Sequence, residues 1–312
     1  MTDVGWVGLG AMGSPMASCL AAAGHHVTAY DIDPARAEAL ADAGVRTGTS
    51  AAAVADGAEV LAIMVATPDQ AESVLFGNGD GDGDVAGTGQ AGGGAAAALA
   101  AGSVVLVLAT VGPAAVRSWA HRLAERKRGV ELVDAPVSGG TARAAAGELV
   151  AMVSGPEAAV TRVQPLLDVL ASRAPLAGPT AGDGQKVKLV NQLLCGVHIA
   201  VAAEALAFAE AIGLDAGACW EIIRHGAAAS FILDDRGERM LHGPFDQPRS
   251  ALDIFVKDMG LVTDAARAAD YPTPLATTAE QLYLAGRRAG LGRLDDSAVI
   301  ELLRGKHEGG GA

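Results

Sequence analysis

Lys188 is followed by Asn191, Cys195 and His198 at offsets of three, seven and ten residues, the spacing that sets side chains on one face of a helix. A lysine held there can take or give a proton, and the Asn191, Gln192 and His198 side chains add polar groups for a hydroxylated substrate. The spacing alone also allows Lys188 to be a snorkelling surface residue and His198 a satisfied core histidine. A second group is Ser138-Gly139-Gly140, where a hydroxyl stands beside consecutive backbone N–H groups. That is either a concave anion site suited to a carboxylate or a plain glycine turn. The third is Gly8-Leu9-Gly10-Ala11-Met12-Gly13, between an apolar strand, Val4 to Gly8, and a helical run from Ser14 to Ala23. Here the first glycine permits a tight turn, the second lets a dinucleotide pyrophosphate approach the backbone, and the third lets helix and strand pack closely.

Asp31 stands 21 residues after Gly10, at the end of the strand His26 to Tyr30. A carboxylate near this offset accepts from the ribose hydroxyls of NAD and repels a 2′-phosphate, so NAD is expected over NADP. A helix cap for Pro34 onward is the other use for Asp31, although Asp33 could serve, and Arg36 could reach a phosphate. Strands at 45–47, 59–65, 103–109 and 130–134 alternate with helices, which predicts a parallel, doubly wound sheet. In such sheets ligands bind at the carboxyl ends of strands, where Thr67, Pro68 and Thr110 fall; an ordinary strand-to-helix turn is the alternative for the first two. Residues 149–154 and 175–177 read as antiparallel additions at the sheet edge. Gly77 to Gly94, mostly glycine, aspartate and alanine, reads as a flexible surface insertion.

From Asn191 to about Leu214 the chain is apolar and proline-free, the pattern of a buried spine helix. Helices follow at 216–225, 231–241, 250–269, 273–289 and 297–303. The expected fold is therefore an N-terminal Rossmann α/β domain over 1–180, then an all-α domain over 181–305 with a long interdomain helix, and a disordered tail over 306–312. In the 250–269 helix, Asp253 and Lys257 stand four apart. Lys257 either makes that surface ion pair or points at the cofactor.

With 312 residues, half of them apolar, the chain can hold two cores. A net charge of −13 argues against nucleic acid and an anionic membrane as partners, so a small anionic substrate must be held by local groups. The three cysteines show no CxxC spacing, which suggests buried thiols rather than disulfides or a metal site. With no leader pattern and no apolar run near ~20 residues, a cytoplasmic protein is expected. The long apolar helices suggest a homodimer or homotetramer.

Four signatures, taken in order, resemble those of the β-hydroxyacid dehydrogenase family, which includes 3-hydroxyisobutyrate dehydrogenase and tartronate semialdehyde reductase. They are Gly8-Leu9-Gly10-Ala11-Met12-Gly13; Asp134-Ala135-Pro136-Val137-Ser138-Gly139-Gly140 continuing through Ala144, Gly147 and Leu149; Gly182-x-Gly184-x-x-x-Lys188-x-x-Asn191; and Lys257-Asp258. The resemblance covers Val4 to about Leu303. It implies that Lys188 is the catalytic acid or base, that Asn191 orients it or the substrate, that Ser138-Gly139-Gly140 holds a substrate carboxylate, and that Lys257 lies against the nicotinamide. Phosphogluconate dehydrogenases carry histidine and asparagine together where this chain has Val190 and Asn191, and imine reductases replace the lysine. Three further stretches, 71–77, 188–200 and 250–258, resemble the branch that oxidises four-carbon sugar acids such as L-threonate to a 2-oxo acid. Gln192 and His198 would suit its extra hydroxyls.

In the implied oxidation Lys188 must be neutral, against a free-lysine pKa of ~10.4; burial and the positive nicotinamide lower it, and the substrate carboxylate raises it. A non-catalytic redox sensor on the same fold is the alternative of another class. Such a protein would need neither Lys188 nor Ser138-Gly139-Gly140.

Overall fold

Short, almost wholly apolar strands such as Val-Leu-Ala-Ile and Val-Val-Leu-Val are the mark of a parallel sheet covered on both faces. The computed structural model describes residues 1–77, 94–126 and 128–304. The expected insertion, for residues 78–93, and the expected disordered tail from 305 lie outside the described residues. Contacts divide the chain into two compact units, Met1–Lys188 and Leu189–Ala312.

The first unit runs β1 (Asp3–Val7), α1 (Gly13–Ala22), β2 (His26–Tyr30), α2 (Pro34–Glu38), β3 (Arg46–Thr47), α3 (Ala51–Ala55), β4 (Val60–Ile63), α4 (Pro68–Phe76), α5 (Gly94–Ala98), β5 (Val104–Val107), α6 (Pro113–Glu125) and β6 (Glu131–Asp134). It continues with β7 (Val137–Ser138), α7 (Gly140–Ala146), β8 (Leu149–Ala151), β9 (Val153–Ser154), α8 (Glu157–Leu170), β10 (Ala171–Arg173) and β11 (Leu176–Gly178). The main sheet has the order β11-β9-β6-β5-β4-β1-β2-β3, and a small second sheet has the order β10-β8-β7. Every pairing in the main sheet is parallel except β6 with β9. One face packs Met16, Leu20, Val163 and Leu166 against the strands, and the other packs Val54, Leu75, Trp119 and Leu123.

The 149–154 segment departs from its expected place. It is two strands in two sheets, because Met152 donates its N–H to the Pro136 carbonyl (3.0 Å) and the chain changes sheet there. The β11 strand pairs parallel, not antiparallel, with β9. The sequence reading leaves 157–170 unassigned, yet it is α8, with Pro165 inside the helix.

Helix α9 (Asp183–Ala211) begins eight residues before Asn191 and carries Lys188, Asn191, Cys195 and His198 on one helix, as their spacing predicts. By length and composition it could cross a membrane, with a hydropathy of 1.7, which corrects the expectation that no such run exists. Much of one side is nevertheless core: Ile199, Ala202, Ala203 and Leu206 pack into the second unit's cluster with Leu252, Phe255, Met259 and Tyr283. The helices α10 (Ala216–Ile223), α11 (Phe231–His242), α12 (Leu252–Ala268) and α13 (Pro274–Arg288) follow, then a 3₁₀ segment, Asp296–Leu302. Arg236 and Arg239 on α11 pair with Asp296 and Asp295, which fastens that segment to the helices.

Candidate active site

The β1–α1 turn is a tight structure that only glycine permits at two points. Gly8 has φ +99°, and a Cβ there would meet the Met64 carbonyl at 2.3 Å; one on Gly13 would meet the Gly8 carbonyl at 2.0 Å. Gly10 has open space where its Cβ would be. These are the close-packing and open-approach roles that a pyrophosphate loop requires. Asp31 is buried beneath this loop, with Oδ2 accepting from Leu9 N–H (2.7 Å) and Oδ1 from Asp33 N–H (3.0 Å). Asp33, not Asp31, caps α2, by accepting from Ala35 N–H. Arg36 Nη1 lies 3.6 Å from Asp31. The residues thus fit a dinucleotide: Gly8 to Gly13 would take the pyrophosphate and Asp31 a ribose. Thr67 Oγ1 caps α4 by accepting from Gln70 N–H (3.2 Å), with Pro68 at the first helical position, so Thr67 does the work of a strand-to-helix turn. Thr110 follows β5 and is partly buried.

Ser138 closes β7, paired with Val150, and the chain then turns through Gly139 (φ +143°) and Gly140 (φ +75°) into α7. Two successive positive-φ residues make a turn that favours glycine at both positions. A Cβ on Gly140 would meet nothing within 4 Å, so that side of the turn is open.

The start of α9 is held by residues to which motif reasoning assigned no role. Asp134, at the end of β6, is fully buried and accepts from Gly182 N–H (2.6 Å), Gln185 N–H (2.9 Å) and the Ser154 hydroxyl (2.5 Å). Gly184 N–H donates in turn to Ser154 Oγ (2.8 Å). Burial pushes the Asp134 carboxyl above the usual carboxylate range, against the opposing pull of these donors. A Cβ on Gly184 would strike the Met152 carbonyl at 2.1 Å, which is why glycine stands there. The Gln185 amide completes the clamp: Oε1 accepts from Val111 and Gly112 N–H (3.0 and 3.1 Å), and Nε2 donates to the Ala109 carbonyl (3.0 Å). One helical turn on, Lys188 is only 6% exposed. A buried lysine on a helix pinned at its first turn is not a snorkelling surface residue.

In the second unit Asn191 Nδ2 donates to Gln192 Oε1 (2.8 Å), and Gln192 Nε2 donates to Asp258 on α12. Lys257 pairs with Asp258 (2.8 Å), while Asp253 pairs with Arg287 (2.6 Å). His198 is partly buried, seven residues beyond Asn191, which is about 10 Å along a helix axis.

A family model described as the NAD binding domain of 6-phosphogluconate dehydrogenase matches residues 3–178, and one described as NAD-binding of NADP-dependent 3-hydroxyisobutyrate dehydrogenase matches residues 182–303. The chain belongs to the 3-hydroxyisobutyrate dehydrogenase-like family. L-threonate dehydrogenase of Cupriavidus necator is 41% identical over 97% of this chain and 96% of its own length. For 2-hydroxy-3-oxopropionate reductase of Escherichia coli the identity is 33%, over 96% of both chains. A crystal structure of 3-hydroxyisobutyrate dehydrogenase from Salmonella typhimurium superposes with a TM-score of 0.85 at 38% identity, covering 97% of this chain and 100% of the other. As a member of this family, the chain is an NAD(P)-dependent oxidoreductase that acts on the CH–OH group of a small hydroxy acid.

Proposed function

We propose that the chain oxidises a four-carbon sugar acid, with L-threonate the first candidate, using NAD and Lys188 as the base. The observation that carries this reading is Lys188 itself, buried on a helix whose first turn is clamped by Asp134 and Gln185. Its substrate half is supported by the L-threonate dehydrogenase relatives at 35% to 41% identity. The Ser138 hydroxyl and the Gly139 and Gly140 N–H groups hold the substrate carboxylate, which a chain of net charge −13 must do with local donors. Lys188, in its neutral form, takes the hydroxyl proton, and Asn191 orients the substrate. Bound NAD supplies the hydride acceptor. Thr67, Pro68 and Thr110 would line its site, and Lys257 would serve its nicotinamide end. His198, about 10 Å beyond Asn191 on the axis, is the outermost substrate group in this scheme. NADH absorbance with L-threonate, D-threonate, erythronate, 3-hydroxyisobutyrate and glycerate side by side tests the reading. L-threonate gives the highest kcat/KM; no turnover of any of the five with either coenzyme sinks it.

Preference for NAD over NADP rests on Asp31. Asp31→Asn keeps an acceptor for Leu9 N–H, removes the charge that repels a 2′-phosphate and leaves Arg36 beside it. The ratio of kcat/KM for NAD to that for NADP falls at least ~10-fold, equivalent to ~1.4 kcal/mol of discrimination. A wild type that prefers NADP would remove Asp31 from coenzyme choice.

The enzyme works in the cytoplasm, a reading supported by three cysteines that form no disulfide, and it assembles as a homodimer or homotetramer. Support for assembly comes from α9, where Val190, Leu194, Val201, Phe208 and Ile212 lie half or more exposed, four or seven residues apart, in a single apolar stripe. Beside it a shallow groove is lined by Val201, Ala205, Phe208 and Leu303. Light scattering of Phe208→Glu against wild type checks this: the variant is smaller, and a monomeric wild type refutes the assembly.

A further inference from the structure

Gln192 is named above among the substrate groups, yet both ends of its side chain are engaged within the protein. A carboxylate can only accept, so Asp258, 2% exposed and paired with Lys257, obliges Gln192 to turn its NH₂ toward it. That leaves Gln192 Oε1 facing the other way, where it accepts a hydrogen bond from Asn191 Nδ2 at 2.8 Å. The same Asn191 nitrogen stands 3.5 Å from Cys195 Sγ. Asn191 is thereby turned with its nitrogen toward Gln192 and Cys195, which leaves its Oδ1 on the opposite branch of the amide. An isolated asparagine presents either end of its amide equally well; here the direction originates at a carboxylate one side chain removed.

We propose that Gln192 is a positioning residue that transmits the polarity of Asp258 to Asn191 and so makes Asn191 an acceptor for a substrate hydroxyl. Substrate acids with a free O–H at that point are favoured, and those with an acceptor there are rejected, because two acceptors would face each other without a proton. The relay is internal to the second unit. Its catalytic consequence rests on the hydroxy-acid reading above.

The test combines kinetics with a readout that needs no substrate. Gln192→Met removes both hydrogen bonds, is close in volume and leaves the Asp258–Lys257 pair in place. It raises KM for the hydroxy acid about 10-fold, leaves KM for NAD within about twofold, and has no further effect in an Asn191→Ala background, as expected for two residues acting as one unit. Effects that add in both backgrounds would mean a packing role only, and overturn the proposal. The chain contains two asparagines, Asn78 and Asn191, so ¹⁵N-asparagine labelling of an Asn78→Ser protein leaves one carboxamide signal. In that protein the Asn191 NH₂ protons exchange slowly. Exchange accelerates at least ~10-fold with Gln192→Met. Fast exchange with Gln192 in place, or no change on its replacement, overturns the relay even if no hydroxy acid proves to be a substrate. A failure of the functional reading appears separately, as absence of turnover by wild type.

Discussion

Lys188→Ala lowers kcat for hydroxy-acid oxidation by ~10²–10⁴-fold, the range that a positioned general base contributes. KM for NAD changes little, since the coenzyme contacts proposed here fall on Gly8 to Gly13, Asp31 and the strand ends. The size of the effect follows from the way Lys188 is held. Asp134 and Gln185 fix the first turn of α9 from two different strand ends, and Lys188 sits one turn later, buried. A lysine on a fraying helix end would spread its amine over many rotamers, with only a small fraction in reach of the hydroxyl proton. The measurement is steady-state NADH formation, with thermal unfolding alongside to show that the variant is folded. A loss under ~10-fold would mean that Lys188 is not the proton acceptor.

Asp134→Ala is expected to cost about 3–5 kcal/mol, the penalty of leaving several buried donors without an acceptor. Three donors lose their acceptor at once: the Gly182 and Gln185 N–H groups and the Ser154 hydroxyl. For a unit of this size, that loss lowers Tm by roughly 6–20 °C. Asp134→Asn falls between alanine and wild type, because its carbonyl can accept from some of the donors while its NH₂ confronts the others. Catalysis falls with stability, and kcat suffers more than the KM values, because the helix start that positions Lys188 loosens. Denaturant unfolding with an unchanged midpoint for Asp134→Ala would show that the clamp does not hold α9.

These two residues mark the boundary of what was readable from the chain. The glycine loop and Asp31 were legible because their chemistry is local: a turn, a helix start and a carboxylate one strand later, all within 24 residues of each other (Gly8 to Asp31). Lys188 and Asn191 were legible through helical spacing and a specific motif. The Asp134 clamp was not, because its partners lie 48 and 51 residues away and no periodicity connects them; the one hint was an aspartate at a strand's end ahead of Ala135 and Pro136. The place of Gln192 was misleading for a related reason. Spacing puts it next to Asn191, but only the tertiary fold reveals Asp258 beneath it. In α8, Pro165 interrupts the expected pattern, yet the helix continues through it with Val163, Leu166, Leu167 and Leu170 buried. At 149–154 the segment divides at Met152, a change of sheet that no run of apolar residues announces.

Lys188→Arg measured at neutral pH on L-threonate probes the proton transfer most directly. Arginine keeps the positive charge and much of the length, but it does not give up its proton in this range. Turnover by the arginine variant should fall to the level of Lys188→Ala, with the pH-dependent limb of wild-type kcat absent from both. Near-wild-type turnover by Lys188→Arg would contradict the account, because a permanently protonated side chain cannot be the base.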